Sequence, residues 1–314
     1  MTSIAPQPAD PPRIVVVGSC MLDLIAQVDV APERGETVLG QRLDTQPGGK
    51  GFNQAIAAAR LGCSVEFVSR LGDDAHGPLF LKDLDLDGVG RAHVSVDPNQ
   101  GTGMSLIVVD VAGENSIVAT PRANDALSPA HIAEAGAVLS QADALLLSFE
   151  VPLDALAAAA VLAGPQTLVC LNAAPAIPIP DNLAARTDVL IVNEIEATEL
   201  TAIAVDNVDS AQRAALSLRA GVRRAAVITL GALGAVFAED GLPAHVPSFE
   251  ADVVDSTGAG DAFCTALAFA LATGLAIRDA VVFGNAAGSL AVRTLGAAPA
   301  MPDAPAVLVL AERG

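Results

Sequence analysis

The chain has 314 residues and a formal charge of -19, with 36 acidic against 17 basic side chains. Nucleic-acid backbones and anionic lipid repel so acidic a molecule, which excludes both as general partners but leaves room for a small phosphate held by backbone amides and a cation. Hydrophobic residues make up 52%, enough for a large core, and with no Trp and no Tyr a bound ring would meet aliphatic side chains or Phe.

Residues 1–12, with four prolines, read as a disordered tail without the basic-then-apolar pattern of a secretory signal. Short β-branched apolar runs follow at 14–17, 104–109, 144–149, 167–171, 188–192 and 225–230. Ala/Leu-rich stretches of helical spacing lie at 53–61, 128–140, 154–163 and 209–220. Strands buried on both faces and separated by helices predict an α/β sandwich with a largely parallel sheet. Segments 24–46 and 102–120 alternate polar and apolar residues around Gly-containing turns, predicting a small antiparallel sheet placed as a lid. Beyond 258 the pattern is helical, at 261–273, 277–294 and 303–312. Cys20, Cys63, Cys170 and Cys264 show no metal spacing and read as free thiols of a reducing compartment. No apolar run reaches the ~20 residues of a membrane span, so a cytoplasmic protein is expected.

Five motifs carry chemistry. Strand 14–17 opens onto GSCMLDL, placing Asp23 just past a strand end, where open α/β sheets bind ligands; an Asp there also serves as a turn residue. In PGGKGFNQAIAAARLG (47–62), Gly48 and Gly49 allow close backbone approach, and Asn53 is expected to open a helix that Gly62 ends. Lys50 and Asn53 there suit sugar hydroxyls. A phosphate loop is the rival, but the GxxxxGK[ST] spacing is missing and no strand is expected to lead straight into the motif. VNEIEATEL (192–200) puts Asn193 and Glu196 on one helix face, suited to Mg2+ held through water; on spacing alone a capped acidic helix start is preferred. VITLGALGAVF (227–237) reads as strand, turn and strand, lining a nucleotide or forming only a hairpin.

VVDSTGAGDAFCTALAFAL (253–271) is the strongest signal. Gly258, Ala259 and Gly260 stand immediately ahead of an apolar helix, so their amides and the helix dipole form a pocket for phosphate charge. Asp261 enters at the first turn, as a base facing an incoming hydroxyl would. The alternative, an Asp that merely caps a helix behind a turn, leaves the flanking Asp255 and Thr257 unexplained.

GSCMLDL, GGKGFNQA, GENSI followed by AN, LNAAPA, NEIE, TLGALG, DSTGAGDAF and GNAAGSLAVRTLGAAPAMP occur in one order along the chain. From about 13 to 305 it resembles the ribokinase branch of the PfkB carbohydrate kinases. The resemblance implies a single kinase domain over 13–314, built as a Rossmann-like three-layer sandwich with a β-sheet lid that often joins homodimers. It implies transfer of the γ-phosphate of ATP to a primary hydroxyl of a pentose, ribose first. Asp261 then matches the catalytic base, and the amides of Gly258, Ala259 and Gly260 the anion hole. Asp23, Gly49, Lys50, Asn53 and Glu150 match sugar contacts; Asn193, Thr229, Gly231, Gly234, Gly260 and Asn285 match nucleotide contacts. Glu196 matches the acidic residue linked to Mg2+. Asp255, Thr257, Ala291, Thr294, Gly296 and Ala300 match a monovalent-cation site, for K+. The chain departs from the family at Met21, where Asn is usual and a polar sugar contact is lost, at Phe52, where a small residue is usual, and at Pro121-Arg122, where Gly-Ala is usual. Met21 and Phe52 would favour a ligand with an apolar part, so another sugar or a nucleoside is the alternative substrate. A catalytically inactive nucleotide-binding regulatory protein is the alternative of another class, against which stand the intact Asp261 and GAG loop.

Overall fold

The protein is described here by a computed structural model covering residues 10–111 and 115–313. Residues 1–9 of the expected tail, and 112–114 of the second lid segment and the GENSI motif, lie outside the described residues. The first half of the chain holds β1 (Arg13–Val17), β2 (Met21–Gln27), β3 (Arg42–Gly48), α1 (Lys50–Arg60), β4 (Ser64–Gly72), α2 (Gly77–Leu86), β5 (Gly90–Asp97), β6 (Gly103–Val109) and β7 (Asn115–Thr120). Then come α3 (Pro129–Glu134), α4 (Gly136–Gln141), β8 (Ala144–Ser148), α5 (Leu153–Leu162), β9 (Leu168–Asn172), α6 (Asp181–Ala184), β10 (Val189–Asn193) and α7 (Glu194–Thr201). The last third is α8 (Val208–Arg219), β11 (Ala225–Thr229), β12 (Ala235–Glu239), β13 (Leu242–Val246), α9 (Ala259–Ala272), α10 (Ile277–Ala291) and α11 (Ala304–Ala311).

The main sheet has the order β13-β12-β11-β10-β9-β8-β1-β4-β5. Every pair from β11 to β5 is parallel, and β12 and β13 extend it antiparallel. The run IVVV of β1 is apolar on both faces because helices cover both. Ile14 and Val16 join the core built with α1, α9 and α10, while Val15 and Val17 join the one built with α3, α4 and α5.

A second sheet, β3-β2-β6-β7, stands beside the first. It is mixed rather than antiparallel, since β2 pairs parallel with β6. The cause is connectivity: β2 follows β1 and β6 follows β5, both parallel members of the main sheet that send the chain out in one direction. No strand forms across 28–41, in the middle of the first expected lid segment. The helix expected at 128–140 breaks at Ala135 into α3 and α4.

β1 and α1 meet where Gly18 crosses Gly51. A Cβ on Gly51 would lie 2.5 Å from the Gly18 carbonyl carbon and 2.5 Å from the Ser19 amide nitrogen. The Phe52 amide donates to the Ser19 carbonyl at 2.9 Å across the same junction. Gly51→Ala is therefore expected to force the two backbones apart and lower the unfolding free energy by about 1–3 kcal/mol. Denaturant melts check this, and an unchanged midpoint would show that the crossing yields freely. Among the described residues no helix is long and apolar enough to cross a membrane. Cys20, Cys170 and Cys264 are buried free thiols, and Cys63 is partly buried.

Candidate active site

The site gathers at the C-terminal ends of the parallel strands, where α1 and α9 begin. α9 starts behind Gly258, which holds φ 79°. A Cβ there would lie 2.9 Å from the Ala297 Cα and from the Met301 Cε, so this turn needs glycine twice over. Amides of a first helical turn have no acceptor one turn back. One of the three expected anion-hole amides, that of Ala259, is engaged, donating to the Ser256 carbonyl at 3.2 Å. Gly260 is exposed, and a Cβ on it would meet nothing within 4 Å, so its backbone borders open space.

Asp261 lies in that first turn and is 6% exposed. It does not cap the helix. Its Oδ2 accepts from Asn53 Nδ2 at 2.9 Å and its Oδ1 from Gln54 Nε2 at 3.2 Å. Burial pushes the Asp261 carboxyl above its ordinary value; Lys50 and the two amides oppose the shift, and the Glu150 charge adds to it. Burial also works against the charge of Lys50, but Asp261, Glu150 and Glu196 outweigh it and hold the ammonium above its usual range.

Asp23, on β2, is 7% exposed and is pushed up to about 6, first by burial and then by the Glu150 and Asp261 charges, with the Ser105 hydroxyl opposing. Glu150 follows β8. Its Oε2 accepts from the Lys50 amide at 2.9 Å and from the Ser19 hydroxyl, so one oxygen holds the loop in place. Gly49 holds φ 92°, and a Cβ there would lie 2.8 Å from the Met21 amide nitrogen. Asp23, Lys50, Asn53, Glu150 and Asp261 are thus brought into one electrostatic cluster.

Three expectations change here. β3 ends at Gly48 and does lead straight into Gly49 and α1, because the small sheet supplies the strand. α1 begins at Lys50, so Asn53 ends its first turn instead of opening the helix. Phe52 is 0% exposed and packs edge-on against Phe80 at 5.0 Å, in the core and away from the cluster. Of the two apolar departures only Met21 remains near the site. It is 5% exposed, and its Sδ lies 3.3 Å from Asn124 Nδ2.

A cleft of about 900 Å³ adjoins α9 and is lined by Thr229, Gly231, Gly234, Ala259, Gly260 and Asn285, among others. The TLGALG turn therefore forms part of a cavity wall as well as a hairpin. Asn285 faces the cleft with its amide already donating to the Val246 and Pro247 carbonyls at 3.1 and 3.0 Å, which anchors the segment after β13. Asn193 is not part of that lining. Its Oδ1 accepts from the Glu196 amide at 2.8 Å while Glu196 Oε2 accepts from the Asn193 amide at 2.9 Å, the reciprocal cap of a helix start. Burial raises the Glu196 carboxyl, with the Asn193 amide and Lys50 opposing.

Among the described residues no group of three His, Cys, Asp or Glu side chains could cage a metal. Glu196, with one oxygen committed, fits Mg2+ held through water and not a protein cage. Asp255 is different. Burial opposes its ionisation, but the Thr257 hydroxyl and amide and the Gly296 amide override it and leave the carboxyl below its ordinary value. The two Thr257 bonds, at 2.6 and 2.9 Å, close a turn within the loop before α9, and the Gly296 bond, at 2.8 Å, ties that loop to the segment after α10. From the other side, the guanidinium of Arg60 at the end of α1 donates to the carbonyls of Ala298, Pro299 and Met301 at 2.8, 3.3 and 3.2 Å.

The motifs do not single out Ser19, Gln54 or Asn124. Asn124 is 0% exposed and fixes the approach to β2, accepting from the Cys20 amide and donating to the Cys20 carbonyl, each at 2.9 Å. The available signal for Gln54 is a second amide beside Asn53 at the head of an otherwise alanine-rich helix.

Residues 11–304 match the pfkB family carbohydrate kinase description. The chain is 36% identical to the ribokinase of Bacillus subtilis over 292 residues, covering 92% of this chain and 96% of that protein. It is 34% identical to the deoxyribokinase of Salmonella typhi over 252 residues, covering 80% and 82%. Arabidopsis thaliana ribokinase complexed with ribose and ATP superposes with a TM-score of 0.89 at 32% identity, over 96% of this chain and 99% of that one.

Proposed function

Because the chain belongs to the pfkB family of carbohydrate kinases, we propose that it transfers the γ-phosphate of ATP to a primary hydroxyl of a pentose, ribose first. The observation that carries this reading is Asp261, a member of the carboxylate–lysine cluster that follows directly on Gly260 of the cleft wall. The sugar would lie against Asp23, Gly49, Lys50, Asn53 and Glu150, with ATP along Thr229 to Gly234 and Gly260. Asp261 takes the proton of the acceptor hydroxyl as its oxygen bonds to the γ-phosphorus and the bond to the ADP oxygen breaks. Charge gathering on the phosphoryl oxygens meets the amides at the mouth of α9. Glu196 would hold Mg2+ through water, and that ion offsets phosphate charge. Asp255 and Thr257, with carbonyls of Ala291, Thr294, Gly296 and Ala300, would hold K+, which stiffens the loop entering α9.

On this reading 13–314 is one kinase unit in which the small sheet, carrying Asp23, acts as a lid. The exposed Leu43, Leu106 and Val118 of that sheet suit a homodimer contact, and the free thiols suit the cytoplasm. Measuring ADP release over a panel of sugars and nucleosides with ATP, Mg2+ and K+ tests the activity. Ribose or a close pentose is expected to turn over fastest; silence across the panel would leave the inactive regulatory protein. Replacing K+ by Li+ is expected to lower the rate several-fold, and equal rates would remove the cation site.

Met21 favours a second reading, a 2-deoxypentose. A hydroxyl set against a buried thioether loses a hydrogen-bond partner, worth about 1–3 kcal/mol, whereas a C–H loses none. The Salmonella typhi relative, named a deoxyribokinase, points the same way. Met21→Asn is then expected to move the kcat/KM ratio of ribose to 2-deoxyribose upward about ten- to hundredfold; an unmoved ratio sinks this reading.

A further inference from the structure

Gln54 is a fully buried polar group at the site, as are Ser19 and Asn124. It is 0% exposed, against 5% for Asn53 and 6% for Asp261, and the two amides hold different oxygens of the carboxylate. Its Nε2 donates to Asp261 Oδ1, and its own Oε1 is buried without a partner among the described residues. Burying an amide with an acceptor unmet costs stability, a cost that is explained where the group serves another end. A core position next to Ala55 and Ile56 would be filled better by Leu or Met.

We propose that Gln54 is a positioning residue for phosphoryl transfer: it fixes the Oδ1 of Asp261 and thereby turns Oδ2, beside Asn53, toward the acceptor hydroxyl. The proposal rests on Asp261 being the base. Asn53 Oδ1 is also buried and unmatched, which leaves an acceptor beside Oδ2 for a second hydrogen of the incoming substrate. A carboxylate free to rotate would offer either oxygen at random; Asn53 on Oδ2 and Gln54 on Oδ1 together remove that freedom, and Oδ2 keeps a second lone pair for the acceptor hydroxyl.

Lys50 from the head of α1 favours the ionised form of Asp261 most, then the Asn53 amide, and the Gln54 bond adds to both. Glu150 after β8, Asp23 on β2 and burial favour the protonated form, and Cys264 lies one turn further along α9. Removing the Gln54 donor therefore raises the pH at which the base becomes available.

The test is the pH dependence of kcat for Gln54→Met and Gln54→Glu, with sugar and ATP saturating. Gln54→Met is expected to move the acid limb upward by about one pH unit, with rate recovering at alkaline pH and both KM values within about twofold. Gln54→Glu nearly keeps the shape but sets a second carboxylate against the first, so its limb should move further. An unshifted limb, or a rate lowered equally at every pH, overturns the proposal. If the buried second carboxylate keeps Gln54→Glu from folding, the limb of Gln54→Met alone decides, and its staying in place overturns the proposal. Asp261→Asn, with Gln54 intact, separates the two claims: a fast Asp261→Asn enzyme removes the base assignment itself, whatever the Gln54 variants do.

Discussion

Asp261→Asn is expected to lower kcat about 10²–10⁴-fold while ATP binding changes little. The loss is chemical, since an amide takes no proton from the acceptor hydroxyl and leaves it a poor nucleophile. The fold should tolerate the change. Asn53 and Gln54 both present N–H groups to the carboxylate, so a new amide would put donor against donor on one side. The unmatched Oε1 of Gln54 relieves that conflict once its amide turns over. Coupled ADP release gives the rate, and nucleotide titration of the variant gives the affinity. A variant within tenfold of the parent rate would end the base assignment.

The second large effect belongs to Lys50. Its ammonium is what chiefly opposes the burial of Asp261. Lys50 is the largest influence lowering the Asp261 carboxyl pKa, so Lys50→Met is expected to raise it further. The base form exists above this pKa. Raising it removes base at neutral pH and restores it as pH climbs. The rate at pH 7 should therefore fall about 10–10³-fold, with partial recovery near pH 9. A rate–pH curve for the variant measures both, and a loss indifferent to pH would show that Lys50 acts by touching substrate alone. The shift should exceed that of Gln54→Met, since a full charge outweighs one amide dipole.

Much of this was legible in the chain. Asp261 could be placed because glycines before an apolar run mark a helix mouth, and IVVV could be read as a strand because both of its faces are covered. The stretch SVEFVSRLG of β4 is harder: polar Glu66, Ser69 and Arg70 interrupt the apolar pattern. Ser69 and Arg70 find partners only in three dimensions, the Gly18 carbonyl at 2.7 Å and Asp97 at 3.0 Å. Phe52 misled because a bulky residue inside a binding motif looks like part of the site. On a helix, one position decides whether a side chain faces ligand or core, and motif spacing does not report that rotation until the helix start is known.

α1 is fastened at both ends, by the Gly18–Gly51 crossing and by the grip of Arg60 on 298–301. Gly49, Lys50 and Asn53 ride on that rod or its first link, and Glu150 is bonded to it. Only Asp23 stands on the other sheet. Four of the five groups assigned to the sugar thus share one fastened rod and the loop bonded to it, and the fifth, Asp23, reaches them from the second sheet.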